Sequence, residues 1–128
     1  MSGLLLLAVA IAVVGGIALY FENQGTVRAQ ANAITSGHWE RGKRAITRYG
    51  CGGCHIIPGV AGAIGQAGPD LTGIAGRGVL AGVLANDPDN MVRWLRHPQA
   101  ILPGNGMPDQ GMADADARDI AAYLYSTP

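Results

Sequence analysis

The chain opens on an unbroken apolar run, "LLLLAVAIAVVGGIALYF" over residues 4–21, without a single charge. As a helix this run spans roughly 27 Å at 1.5 Å per residue, enough to cross the hydrocarbon core of a bilayer. The following stretch, residues 22–37, is polar and small with no helical apolar period, so it predicts a juxtamembrane linker. A folded domain is expected over residues 38–128. Its first helix is predicted in "HWERGKRAITRYG", where Trp39, Ala45, Ile46 and Tyr49 share a face and Gly50 closes the segment. "NDPDNMVRWLRHP" predicts a second, with Asp87 as cap, Pro88 at the first helical position, Asp89 at the positive end and Pro98 as the stop. The last, "DADARDIAAYLYS", puts Ile120, Tyr123 and Leu124 on one apolar face. Its cap position falls on Ala113, which costs about 1 kcal/mol relative to Ser or Asp, offset in part by Asp114 and Asp116 in the first turn. No stretch reads as a hairpin or alternating strand, so the domain is expected to be all-α.

A cleaved signal peptide competes with the anchor reading, because "AQA" at residues 29–31 has the small-x-small form of a cleavage site. No Lys or Arg precedes the run, however, the run is long for a signal, and the candidate cut lies far beyond its end, so residues 1–21 are read as an uncleaved transmembrane anchor. The nearest basic residue, Arg28, votes for a cytoplasmic domain, but one arginine offset by Glu22 is a weak vote. Ala8, Ala12 and Gly16 recur every four residues and form a small-residue stripe of the kind on which transmembrane helices pack.

Composition sharpens the picture at one point. Aromatic residues make up 5% of a chain with 20 glycines, leaving the domain short of bulky side chains for a core, a shortage that a large apolar cofactor would fill. Nine basic and nine acidic residues cancel, which excludes a whole-chain argument for nucleic acid. Arg41, Lys43, Arg44 and Arg48 form a local basic cluster, read first as a solvated helix surface and second as a docking patch for an acidic partner.

The only two cysteines lie in "CGGCH", at Cys51 and Cys54. A redox dithiol wants a βαβ context that this strand-poor chain lacks. Structural zinc wants four ligands, and beyond His55 only His38 and His97 remain, neither at a finger spacing. The third reading is c-type haem attachment: two thioethers three residues apart fix the porphyrin edge, and His55 reaches the iron. Downstream, "ILPGNGMPDQGM" offers Met107 in a Pro- and Gly-rich strap as the thioether for the other iron face, in preference to Met112. His97 and His38 are read as surface or helix-end histidines. The glycines at 59, 62, 65 and 68 predict an irregular loop passing close to a bulky object.

From His38 onward the chain resembles the class I c-type cytochromes, through Gly42 in the first helix, "CGGCH", "GPDL", the helix bearing Trp94, the "MPDQG" strap and "AAYL". The resemblance implies four to five short helices around one covalent haem c, held by Cys51 and Cys54 with His55 and Met107 as iron ligands. It implies that the Pro69 carbonyl orients His55, and that the first and last helices cross at Gly42 and Tyr123. A narrower likeness, in "AGVLANDPDNMVRWLRHPQAILPGNGMP", is to the cytochrome c domain fused to subunit II of some haem-copper oxidases; it makes Arg77 and Trp94 candidates for haem propionate contacts. The chain departs from that pattern in lacking a copper-binding β-domain, and at His97 and Ala113.

The resemblance implies one-electron transfer and no catalysis, on the periplasmic or outer face of the cytoplasmic membrane. It implies a quinol-oxidising complex or similar donor upstream and haem-copper oxidase subunits as partners. A cytochrome subunit of a periplasmic dehydrogenase or nitric oxide reductase is the rival within electron transfer, and a haem-based sensor the rival from another class.

Overall fold

The computed structural model describes residues 2–127. Helix α1, Ser2–Thr35, contains the apolar run, whose side chains are exposed along its length. It is the one helix, among the described residues, long and apolar enough to cross a membrane. The expected linker over residues 22–37 is corrected here: the helix continues without a break to Thr35, and only then does Ser36, at φ 53°, turn the chain. Its second half turns Gln24, Val27, Arg28, Ala31, Asn32 and Thr35 toward the domain, with Ala31 2% and Thr35 1% exposed. These positions recur at the helical spacing, but the stripe is made of small and polar residues, so no apolar period marks it in the sequence.

Helix α2, Trp39–Arg48, buries Gly42, Ala45 and Ile46 against α5, Asp114–Ser126. At the crossing a Cβ on Gly42 would overlap the Asp119 carbonyl and sit 3.0 Å from Tyr123 Cβ, so only glycine lets the backbones meet. Asp119 is itself buried, and its carboxylate accepts from the His38 backbone N–H (2.7 Å) and from Arg41 Nε (2.8 Å) and Nη2 (3.0 Å). A carboxylate taken from water requires such partners, and the forked guanidinium supplies two of the three bonds. Arg48 pairs with Asp116 on α5 at 2.6 Å, so half of the basic cluster is engaged with the last helix, while Lys43 and Arg44 are exposed.

Helix α3, Pro88–Arg96, starts on Asp87, whose carboxylate accepts from Asn90 N–H at 2.8 Å, and the short α4, Pro98–Ile101, follows after His97. Helix α5 begins on Ala113 with no side-chain cap, as its sequence predicts. The expectation of no hairpin is corrected by a minimal one: β1, Val79–Leu80, pairs antiparallel with β2, Leu84–Ala85, around Ala81 and Gly82, both at positive φ. Two-residue strands are too short to display a period of two, so nothing announces them. The domain is otherwise helical. Its apolar core gathers Ile46, Ile57, Leu80, Met91, Leu95, Ile120 and Leu124.

One polar knot ties α5 to the loop below it. Asn86 donates to the carbonyls of Ile74 (2.8 Å) and Arg77 (2.7 Å) and accepts from Tyr125 Oη at 2.6 Å. Burial first, and the charge of Asp87 second, push the Tyr125 phenol from 10.0 up to about 12. The neutral phenol therefore contributes stability that is complete below pH 10.0 and is lost as pH rises through about 12. Denaturant titrations across the alkaline range should show Tyr125→Phe less stable near neutrality, yet with a shallower decline above pH 10.0 than the parent. Gly42→Ala should cost about 1–3 kcal/mol of unfolding free energy in the same assay, because neither backbone at the crossing has room to give.

Candidate functional site

A cleft of about 360 Å³ opens beside the α2–α5 crossing, walled by Ile46, Ile57, Leu71, Ile74, Leu80, Leu95, Ile120 and Leu124. The "CGGCH" segment forms one side. Beyond α2 the chain turns at Gly50 and winds the 3-10 turn Cys51–Gly53, which brings His55 N–H onto the Cys51 carbonyl at 3.0 Å. The glycine-rich loop then wraps back over this turn: Gly65 N–H donates to Gly52 O (3.0 Å) and Gly68 N–H to Cys54 O (2.8 Å). The bulky object expected beside that loop is thus in part the motif itself, since a Cβ on Gly68 would lie 2.5 Å from His55 Cε1.

His55 Nδ1 lies 2.7 Å from the Pro69 carbonyl oxygen. A carbonyl only accepts, so Nδ1 carries the proton and Nε2 keeps its lone pair, which is the tautomer a metal-binding imidazole needs. Met107 sits across the fold in a strap held by two amides. Asn105 accepts from Met107 N–H (2.7 Å) and donates to the carbonyls of Leu102 (2.7 Å) and Pro98 (3.0 Å). Gln99 donates to the carbonyls of Met107 (2.7 Å) and Asn105 (2.9 Å). Met112 also reaches the cleft but is packed in the core, whereas Met107 is half-buried.

All seven residues singled out in the sequence, Cys51, Cys54, His55, Pro69, Arg77, Trp94 and Met107, line this one cleft. Arg77 braces its rim, one Nη donating to the carbonyls of Asp70 (2.5 Å) and Thr72 (2.9 Å), and Trp94 is half-buried on α3. His97, exposed between α3 and α4, and His38, ahead of α2, stand outside it.

The geometry disfavours the two other uses of the cysteine pair. Burial pushes the Cys51 thiol up, where a redox-active dithiol needs a depressed one. Among the described residues no three His, Cys, Asp or Glu side chains gather as a metal cluster, as structural zinc would require. The family model for cytochrome c matches residues 39–128.

The chain belongs to the cytochrome c family. It is therefore a haem-binding, electron-transfer domain, and the cleft suits that group: apolar walls to cover a porphyrin, two thiols at one edge, and an imidazole and a thioether facing the same space. Among curated proteins this cytochrome is 37% identical over 87 residues to cytochrome c oxidase subunit 2 of Alkalihalophilus pseudofirmus, covering 67% of the chain and 25% of that protein. It is 34% identical over 65 residues to cytochrome c oxidase subunit 2 of Bacillus sp. strain PS3, covering 49% of the chain and 18% of that protein. It thus spans a quarter or less of both subunits. Cytochrome c2 iso-2 of Magnetospirillum fulvum is 35% identical over 89 residues, 59% of the chain and 90% of that protein. No solved structure matches.

Sequence reasoning missed Gln99 and Asn105, and it read Gly68 only as one glycine of a closely passing loop, without its neighbour His55. Both amides act through bonds to backbone carbonyls within their own loop, which no spacing rule reveals. Asn105→Ala should speed hydrogen exchange at the strap amides over 102–107 by tenfold or more while leaving α2 and α5 protected. The accompanying loss is about 1–3 kcal/mol or less, the scale of two or three net hydrogen bonds.

Proposed function

We propose that this cytochrome carries one haem c, which Cys51 and Cys54 would hold through thioether bonds and His55 and Met107 would ligate at the iron. It serves as a membrane-anchored, single-electron carrier working to or within a haem-copper terminal oxidase complex. The observation that carries the reading is that Met107, far along the chain from the "CGGCH" motif, lines the same apolar cleft as Cys51, Cys54 and His55.

Haem held by His55 and Met107 would supply a reversible one-electron couple with no ligand position left for substrate, so the role proposed is carriage and not catalysis. The chain's part is to hold its ligands still in both oxidation states. The Pro69 carbonyl fixes the imidazole's tautomer and rotation, and Gly68 leaves the ring the space it stands in. Gln99 and Asn105 fix the backbone on both sides of Met107, so its thioether is presented and not recruited. Arg77 spends one nitrogen on loop carbonyls, which leaves its other N–H groups for a propionate, and Trp94 lines the same cleft from α3 as a second candidate for that contact.

The oxidase assignment is supported by the likeness to two oxidase subunits and by the exposed apolar half of α1, which suits a single-pass anchor in the cytoplasmic membrane. Haem c is attached outside that membrane, so the domain belongs on the periplasmic or outer face. Arg28, the one vote against, stacks 4.1 Å over the Trp39 ring and serves packing. A quinol-oxidising complex fits as the upstream donor.

Two measurements test the reading. In the oxidised protein Met107→Ala should abolish the weak sulfur-to-iron charge-transfer band and Met112→Ala should retain it; the reverse pattern overturns the ligand assignment. Purified in mild detergent, the tagged chain should bring haem-copper oxidase subunits with it. Recovery alone, or with a dehydrogenase or nitric oxide reductase, overturns the partner.

A further inference from the structure

The second half of α1 is part of the cytochrome domain, and three independent contacts make it so. Along its length the face built by Gln24, Val27, Ala31 and Thr35 packs toward the domain, with Ala31 and Thr35 fully enclosed. At its end Asn32 Oδ1 accepts from Trp39 N–H at 2.8 Å and Arg28 lies on the Trp39 ring, so the first residue of α2 is held by α1. Beyond it Gly37 passes so close to the Arg118 carbonyl that no Cβ fits there, which puts the α1–α2 corner directly on the α5 backbone.

The spacing between membrane and domain is equally telling. The apolar run ends at Phe21 and the first residue facing the domain is Gln24, three residues later on the same uninterrupted helix. Three helical residues rise about 4.5 Å, less than one turn, and a helix does not swivel over that length as a Gly/Ser tether does.

We infer that α1 is a rigid stalk that fixes the cytochrome domain, and the haem cleft with it, at one orientation to the membrane. Resting on the membrane-anchor reading, the inference deepens it: the electron is handed to a neighbour that sits at a set position in the same membrane assembly. The domain does not sweep the surface on a flexible leash to meet freely diffusing partners. Each residue added to a helix rotates the downstream chain by about 100°, so the registry between residues 21 and 24 also sets which way the cleft faces.

The test uses the full-length holoprotein in phosphatidylcholine vesicles, first floated on a density gradient and then dried as oriented multilayers for electron paramagnetic resonance of the ferric haem. A second variant carries six residues, Gly-Gly-Ser-Gly-Gly-Ser, inserted between Glu22 and Asn23, outside every contact named above. The parent should float and its haem signals should change intensity as the multilayer is rotated in the field. The insertion variant should float and bind haem equally, but lose that angular dependence. A parent that floats but shows no angular dependence overturns the rigid stalk and leaves the anchor standing. A parent that fails to float overturns the anchor reading itself. An insertion variant that stays oriented overturns the stalk, because some other surface would then be setting the angle.

Discussion

The contact on which the domain depends is the crossing of α2 over α5, where Gly42 lies against the Asp119 carbonyl with no side chain between them. Asp119 serves that crossing twice, through its backbone at the contact and through its carboxylate, which gathers His38 N–H and Arg41. With the two helices fixed this closely, Ile46 from one and Ile120 and Leu124 from the other form a single apolar wall. The "CGGCH" turn leaves the end of α2 and the Met107 strap enters the start of α5. Both halves of the site are therefore referred to the same two helices.

The wall does not close on itself. The apolar residues that complete an ordinary core are replaced here by an open cleft and a loop whose glycines fold over a short 3-10 turn. That distribution explains the sparse aromatic content: the volume is left for a flat apolar group. It also explains why the polar bonds concentrate where they do. Pro69 with His55, Gln99 and Asn105 with the strap, and Asn86 with Tyr125 all stiffen rims that side-chain packing alone would leave loose.

What could be read from the sequence was local chemistry. The capped start of α3, the uncapped start of α5 and the "CGGCH" and strap motifs each lie within a few residues and follow from what those residues do. The second half of α1 was misread because its buried stripe is Gln24, Val27, Arg28, Ala31 and Thr35. Small and polar residues suit close packing on a backbone, yet they carry no apolar period. The hairpin at Val79–Leu80 and Leu84–Ala85 was missed because two residues cannot show an alternation. That Arg77 and Trp94 line the same cleft as the cysteine turn is a property of the tertiary fold, and only the family resemblance anticipated it, whereas Met107 was legible from its Pro- and Gly-rich strap.

The proposed role requires that the cleft be completed by one haem bonded through both cysteines. Intact-mass spectrometry of the membrane-extracted chain, after acid-acetone treatment and alkylation of any free thiol, tests this directly. A single species is expected, heavier than the polypeptide by one haem and carrying no alkyl group. Haem lost to the acetone layer, with Cys51 and Cys54 both alkylated, would refute covalent attachment.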